Sequence, residues 1–193
     1  MDDALRLYFT KAEVHERNST KLAALNRPIK KISARHTDWK AAKTSEKEAD
    51  NLSAEIYVCI RAKVMLTTNL WNEVGLANSS MGTIHNMSWD VGQDITSMPS
   101  VILVKFDGYT KPAFPDCGEG IILIFPVTQQ FEYKSVSCSR TQFPLRLAYA
   151  IMVHKSQGMS LDAAIMNLRK KQHCLGLAYV AVSHVRTARW SGV

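Results

Sequence analysis

The chain has 193 residues, 46% hydrophobic and 21% charged, which is enough for one full-sized domain or a domain with a small insertion and argues against disorder. Its 24 Lys and Arg against 17 Asp and Glu give a formal charge of +7, a balance that permits a polyanionic partner without requiring one. No apolar run approaches a membrane span, the acidic start Met1-Asp2-Asp3-Ala4 lacks a leader pattern, and Cys59, Cys117, Cys138 and Cys174 form no C-x-x-C pair of the kind a zinc ribbon needs. These features predict a cytoplasmic, nuclear or organellar chain with reduced, mostly packed thiols.

Leu5-Arg6-Leu7-Tyr8-Phe9 alternates apolar and polar residues and predicts a short strand. Thr10-Lys11-Ala12-Glu13 then fits a capping box, with the Thr10 hydroxyl accepting from the Glu13 amide and the Glu13 carboxylate returning to the Thr10 amide. A helix is predicted to about Leu25, with Val14, Leu22 and Leu25 inward, stopped by Asn26-Arg27-Pro28. A strand feeding a capped helix is the unit of an α/β domain.

Residues 38–52 are polar, with alternating charge from Lys43 to Asp50, and read as a linker or an exposed surface helix. The texture then changes to short apolar runs separated by turn signals such as Asp107-Gly108 and Gly118-Glu119-Gly120. These runs are Val64-Met65-Leu66, Ser80 to Ile84, Val101 to Phe106 and Ile121 to Phe125. They predict a small antiparallel β-barrel or sandwich. From Leu147 the α/β texture returns, with a strand expected at Ile165 to Leu168 and a buried helix at Leu177 to Val185.

None of the nine glycines is followed by Lys, and there is no Asp-Glu pair, so a complete P-loop site is absent from the sequence. H-E-x-x-H and G-x-S-x-G are absent too. The densest polar chemistry is His154, Lys155, Ser156, Gln157 and Gly158, directly after the apolar run Leu147 to Val153. One reading is an exposed polar turn after a core strand; the other is a cluster of donors delivered to a phosphate-bearing ligand. The tail Ala178 to Arg186 reads as an apolar helix with a polar end at His184.

Taken together, H-K-S-Q-G-x-x-L followed by A-Y-V-A-x-S-x-V resembles motifs V and VI of the PIF-type (petite integration frequency) DNA helicases, relatives of RecD. Leu5 to Val14 with Asn18, continued by Leu22 to Asn26, resembles the family's motif IV strand and helix. Ala62 to Leu70 with Met81-Gly82-Thr83-Ile84 resembles the start of the inserted barrel. Phe125-Pro126-Val127, Cys138 to Leu145 and Leu147 to Ile151 resemble its exit. Nearly the whole chain is covered.

The resemblance implies an α/β fold, a RecA-like second motor domain with an inserted small antiparallel β-barrel. It divides the chain into a first part of the motor domain with a polar linker (1–57), the barrel (58–140) and the return with motifs V and VI (141–193). It implies that His154, Lys155, Ser156 and Gln157 face single-stranded DNA, and that Gly158 and Arg186 lie towards the nucleotide. Lys155 suits phosphate neutralisation, and Ser156 and Gln157 suit hydrogen bonds to backbone oxygens. ATP and Mg2+ belong to the complete family enzyme, the metal held by a first motor domain missing from this sequence, and no cofactor is expected for this chain alone. The implied role is a monomeric fragment of a 5′–3′ DNA helicase of repair, recombination or telomere maintenance, nuclear or mitochondrial, with no membrane partner. A non-catalytic nucleic-acid-binding module and a degenerate, mobile-element-derived relic are the alternatives.

The departures from the family pattern bear on that choice. His184 stands at the arginine-finger position; such a finger is worth roughly 10³–10⁵ in rate, about 4–7 kcal/mol, and neutral imidazole lacks its fixed charge and fork. On a continuing helix Arg186 points elsewhere than His184. Arg61 and Ser79 stand where the family has Gly, and Asn167-Leu168-Arg169 where it has Asp-Leu-Gly.

Overall fold

The computed structural model describes residues 4–49, 51–107, 109, 118–156, 161–166 and 185–190. In chain order its elements are β1 (Leu5–Tyr8), α1 (Lys11–Ala24), β2 (Lys30–Ser33), β3 (Arg35–His36), α2 (Trp39–Lys43), β4 (Glu55–Val58), β5 (Lys63–Leu66), β6 (Met81–Ser88), β7 (Val101–Phe106), β8 (Ile121–Ile124), β9 (Val127–Tyr133), β10 (Val136–Gln142), β11 (Leu145–Leu147), β12 (Ala150–Met152), β13 (Leu161–Met166) and β14 (Val185–Trp190), with short 3-10 turns at Asn72–Val74 and Val153–Ser156. The chain forms two compact units, one from Met1–Ala24 with Ala148–Val193 and one from Leu25–Leu147. Among the described residues no helix is long and apolar enough to cross a membrane.

The first unit is an α/β layer. Its four strands run in the order β12-β1-β13-β14, every pair parallel. Leu5 and Leu7 of β1 are buried, as the alternation predicts. Thr10 caps α1: its hydroxyl accepts from the Glu13 amide at 3.3 Å and donates to the Glu13 carboxylate at 2.7 Å. On α1 only Leu22 is fully buried, while Val14 is half-buried. The strand expected at Ile165 to Leu168 begins earlier, at Leu161. Val185 and Arg186 open β14 rather than close a helix. The β-branched Val185 and Thr187 and the aromatic Trp190 suit a strand paired to β13. The rest of the expected helix lies outside the described residues.

The second unit is built from antiparallel strands. Five strands pair as β11-β5-β6-β7-β8, three as β3-β10-β9 and two as β2-β4. The apolar runs of the sequence become β5 to β8, and Val64, Leu66, Ile84, Ile102, Val104 and Ile124 form much of the core. Gly82 is fixed by the pairing of β6 with β7, since a Cβ there would lie 2.6 Å from the Lys105 carbonyl oxygen. No closed barrel is seen: among the described residues the terminal strands β11 and β8 do not pair, and the remaining strands form separate small sheets.

Within 38–52 the chain forms the short helix α2, with Trp39, Lys43 and residues 45–48 exposed and a few side chains turned inward. Asp38 caps the short α2, accepting from the Lys40 and Ala41 amides at 2.8 and 2.9 Å. Ala41, Thr44, Ala49 and Leu52 are buried. Arg140 of β10, 0% exposed, explains why. Its guanidinium donates to the carbonyls of Leu52 (2.7 Å), Ala41 (2.9 Å) and Thr44 (2.7 Å). The next inward residue of that strand, Gln142, donates to the Ile32 carbonyl at 3.1 Å and accepts from the Phe143 amide at 2.9 Å. Burial lowers the Arg140 pKa, and the Glu46 carboxylate opposes that shift.

Two expected outcomes follow from local geometry. Arg61 and Ser79 occupy the third position of turns closed by Ala62 N–H to Cys59 O (3.1 Å) and Ser80 N–H to Ala77 O (3.0 Å), with φ of 72° and 76°. That region disfavours side chains with a Cβ, so Arg61→Gly and Ser79→Gly are each expected to stabilise the fold by about 0.5–1 kcal/mol in urea melts. His36, beside Arg140 in the β3–β10 pairing, has its pKa lowered below 6.5 by burial and then by the Arg140 charge, and its Nδ1 is buried with no hydrogen-bond partner. A depressed histidine binds its proton more readily when unfolded. Stability is therefore expected to fall as pH drops below about 6.5, and His36→Phe to flatten that part of the profile.

Candidate nucleic-acid interface

In an open parallel sheet the strands' carboxyl ends gather at one edge, and ligands bind beyond it. Here Tyr8 sits beside Met152, and Leu7 and Trp190 both pair with Met166, so β1, β12, β13 and β14 all end on that side. The residues His154 to Ser156 leave the sheet from the end of β12.

Its start is tightly built. Ile151 and Val153 are buried, and the chain closes at once into the turn Val153–Ser156. Ser156 is 1% exposed, and its hydroxyl donates to the Val153 carbonyl at 2.6 Å. In this structure the Ser156 hydroxyl therefore shapes the turn. His154 and Lys155 lie within the same turn, Lys155 half-buried. Gln157 and Gly158 lie outside the described residues.

β12 is an edge strand, and an edge leaves backbone donors and acceptors without partners. On one side β1 serves it, with the Arg6 amide donating to the Tyr149 carbonyl at 3.0 Å. On the other side Asn18 of α1 replaces a missing strand. Its Nδ2 donates to the Ala150 carbonyl at 3.1 Å and its Oδ1 accepts from the Ala150 amide at 2.9 Å. Asn18 matched the family in sequence, but its role was not legible there. The available signal was an Asn inside a helix, where such residues are unfavourable without a specific bond.

The second motif is partly visible. His184 lies outside the described residues. Arg186 is the second residue of β14, and Val185 pairs with Leu161, the first residue of β13. The strand that follows the 154–158 segment and the strand that follows His184 are therefore hydrogen-bonded neighbours. Arg186 is carried by a strand rather than by the helix that was expected to turn it away. The arrangement suits phosphate contact without base reading, because Lys155 supplies charge and the turn backbone is fixed.

No protein-family model matches the chain. It is 29% identical over 187 residues to "ATP-dependent DNA helicase PIF1" of Danio rerio and 32% identical over 187 residues to that of Xenopus laevis, in both cases 95% of this chain. It spans 26% of the length of each of these relatives. Among solved structures it is similar to Bacteroides Pif1 in complex with ADP-AlF4, with a TM-score of 0.69 and 25% identity over 98% of this chain and 40% of that one. It shares the fold of Bacteroides Pif1 bound to ssDNA, with a TM-score of 0.65 and 24% identity over 100% of this chain and 41% of that one.

Removing the Asn18 carboxamide leaves a part-buried amide and carbonyl unpaired. Asn18→Ala is expected to cost about 1–3 kcal/mol in chemical denaturation. Hydrogen exchange at Ala150 is expected to speed up by more than at β7, which the side chain does not touch.

Proposed function

Because the chain belongs to the PIF-type DNA helicase family and corresponds to its C-terminal region, we propose that it is the DNA-gripping part of an ATP-dependent 5′–3′ DNA helicase. The observation that carries this reading is the Val153–Ser156 turn at the carboxyl end of β12, where the H-K-S-Q-G motif begins, in a chain similar to helicases over 95% of its length. Single-stranded DNA is the proposed partner, since a structure of the same fold holds ssDNA. His154, Lys155 and Gln157 are the proposed contacts, with Ser156 holding the turn that presents them. Lys155 neutralises a phosphate, and sequence is not read. The second unit is proposed as the family's inserted β module. A nuclear role in repair, recombination or telomere maintenance is the family-level extension of this reading, with a mitochondrial one as its alternative.

ATP chemistry is proposed only for a complete motor. The residues present do not fit a nucleoside triphosphate by themselves, because no Gly-Lys loop exists to cradle its phosphates and no Asp-Glu pair to hold Mg2+. A first motor domain with those loops would supply both. Gly158 and Arg186 are the proposed nucleotide-side residues of this chain. His184 at the finger position lowers the rate expected of any such assembly.

The missing loop also favours a second reading, a nucleic-acid-binding module without catalysis. Left-handed Arg61 and Ser79 fit a copy diverging under weak constraint.

The pure chain is expected to release no phosphate from ATP, with or without DNA. In fluorescence anisotropy with labelled oligo-dT, Lys155→Ala is expected to weaken binding and reduce the salt slope by about one. An unchanged affinity and slope would remove Lys155 from the interface.

A further inference from the structure

Trp39 opens α2 with 66% of its surface exposed. The element beneath it is held at both ends, by the Asp38 cap on the Lys40 and Ala41 amides and by the Arg140 guanidinium on the Ala41 and Thr44 carbonyls. Ala41 and Thr44 face the core. The indole is therefore presented on a fixed platform. The Lys43 ammonium lies 4.9 Å from its ring centroid, and Arg35 and Lys47 are exposed nearby in sequence. The carboxylates of Asp38, Glu46 and Glu48 are each held by hydrogen bonds to neighbouring groups. Asp38 is spent on the cap, Glu46 accepts from the Ser53 hydroxyl at 2.7 Å, and Glu48 accepts from the Ser45 hydroxyl at 2.7 Å.

We propose that Trp39 and Lys43, with Arg35, form a second subsite for single-stranded nucleic acid in the central unit, stacking one base and contacting its flanking phosphates. The proposal rests on the function above for its ligand class and adds a contact that the helicase motifs do not include. An exposed indole stacks on any base, and a cation at its face both strengthens stacking and neutralises phosphate. Trp71 provides the internal contrast. It is 55% exposed, but its indole N–H faces the Glu73 carboxylate at 3.4 Å, whose charge repels phosphate.

The test compares the full chain binding oligo-dT and an abasic oligomer of equal length, by anisotropy, after circular dichroism has shown that each variant melts as the parent does. Trp39→Ala is expected to weaken oligo-dT binding roughly 5- to 100-fold and leave the abasic oligomer unaffected. Trp39→Phe should fall between, and Trp71→Ala should match the parent. Lys43→Ala is expected to weaken both ligands and lower the salt slope by about one. If Trp39→Ala binds oligo-dT as the parent does while Lys155→Ala is impaired, the subsite is wrong and the proposed function stands. If the parent prefers neither ligand and binds both without salt dependence, both readings are overturned.

Discussion

The central unit depends on one buried cation. A guanidinium withdrawn from water costs several kcal/mol unless its donors are satisfied. Arg140 offsets much of that cost with three short bonds from its terminal nitrogens to carbonyls of Ala41, Thr44 and Leu52, while its buried Nε has no partner. Two of those carbonyls belong to the end of α2, where unpaired acceptors and the negative end of the helix dipole both favour a positive charge. The same contact draws a polar stretch of chain onto β10 and buries Ala49 and Leu52, and the Arg140 charge adds to the burial that lowers the pKa of the neighbouring His36. Without the cation, residues 38–52 have little apolar surface with which to hold themselves down.

The parallel unit solves a related problem by a neutral device. Its edge strand β12 ends in the segment that carries the helicase resemblance, and a loose edge would blur any geometry built on it. Asn18 supplies one donor and one acceptor in the spacing of a neighbouring strand. Ser156 then closes the turn from below. Both side chains act on backbone, fixing the strand edge and the turn that follows it.

Much of the architecture could be read from residue order. The alternation of β1, the Thr10 capping box and the apolar runs of β5 to β8 report short-range preferences, and each is found where the pattern places it. Positive φ at Arg61 and Ser79 agrees with the glycines expected there. The inward turn of Ala41, Thr44, Ala49 and Leu52 is not legible locally because their anchor lies far along the chain, on a strand where an inward Arg looks like an ordinary outward one. Arg186 was assigned to a helix by extending the apolar run beyond its end.

The sequence by itself determined the family, the α/β and antiparallel textures, and the absence of a phosphate loop, because these reside in local spacing and in motifs of consecutive residues. Only the tertiary structure decided that Arg140 is a structural anchor, that Asn18 completes a sheet edge and that Trp39 stands on a rigid platform. Each of those roles depends on a hydrogen-bond partner brought close by folding, and a side chain's chemistry is assigned by that partner rather than by its neighbours in sequence.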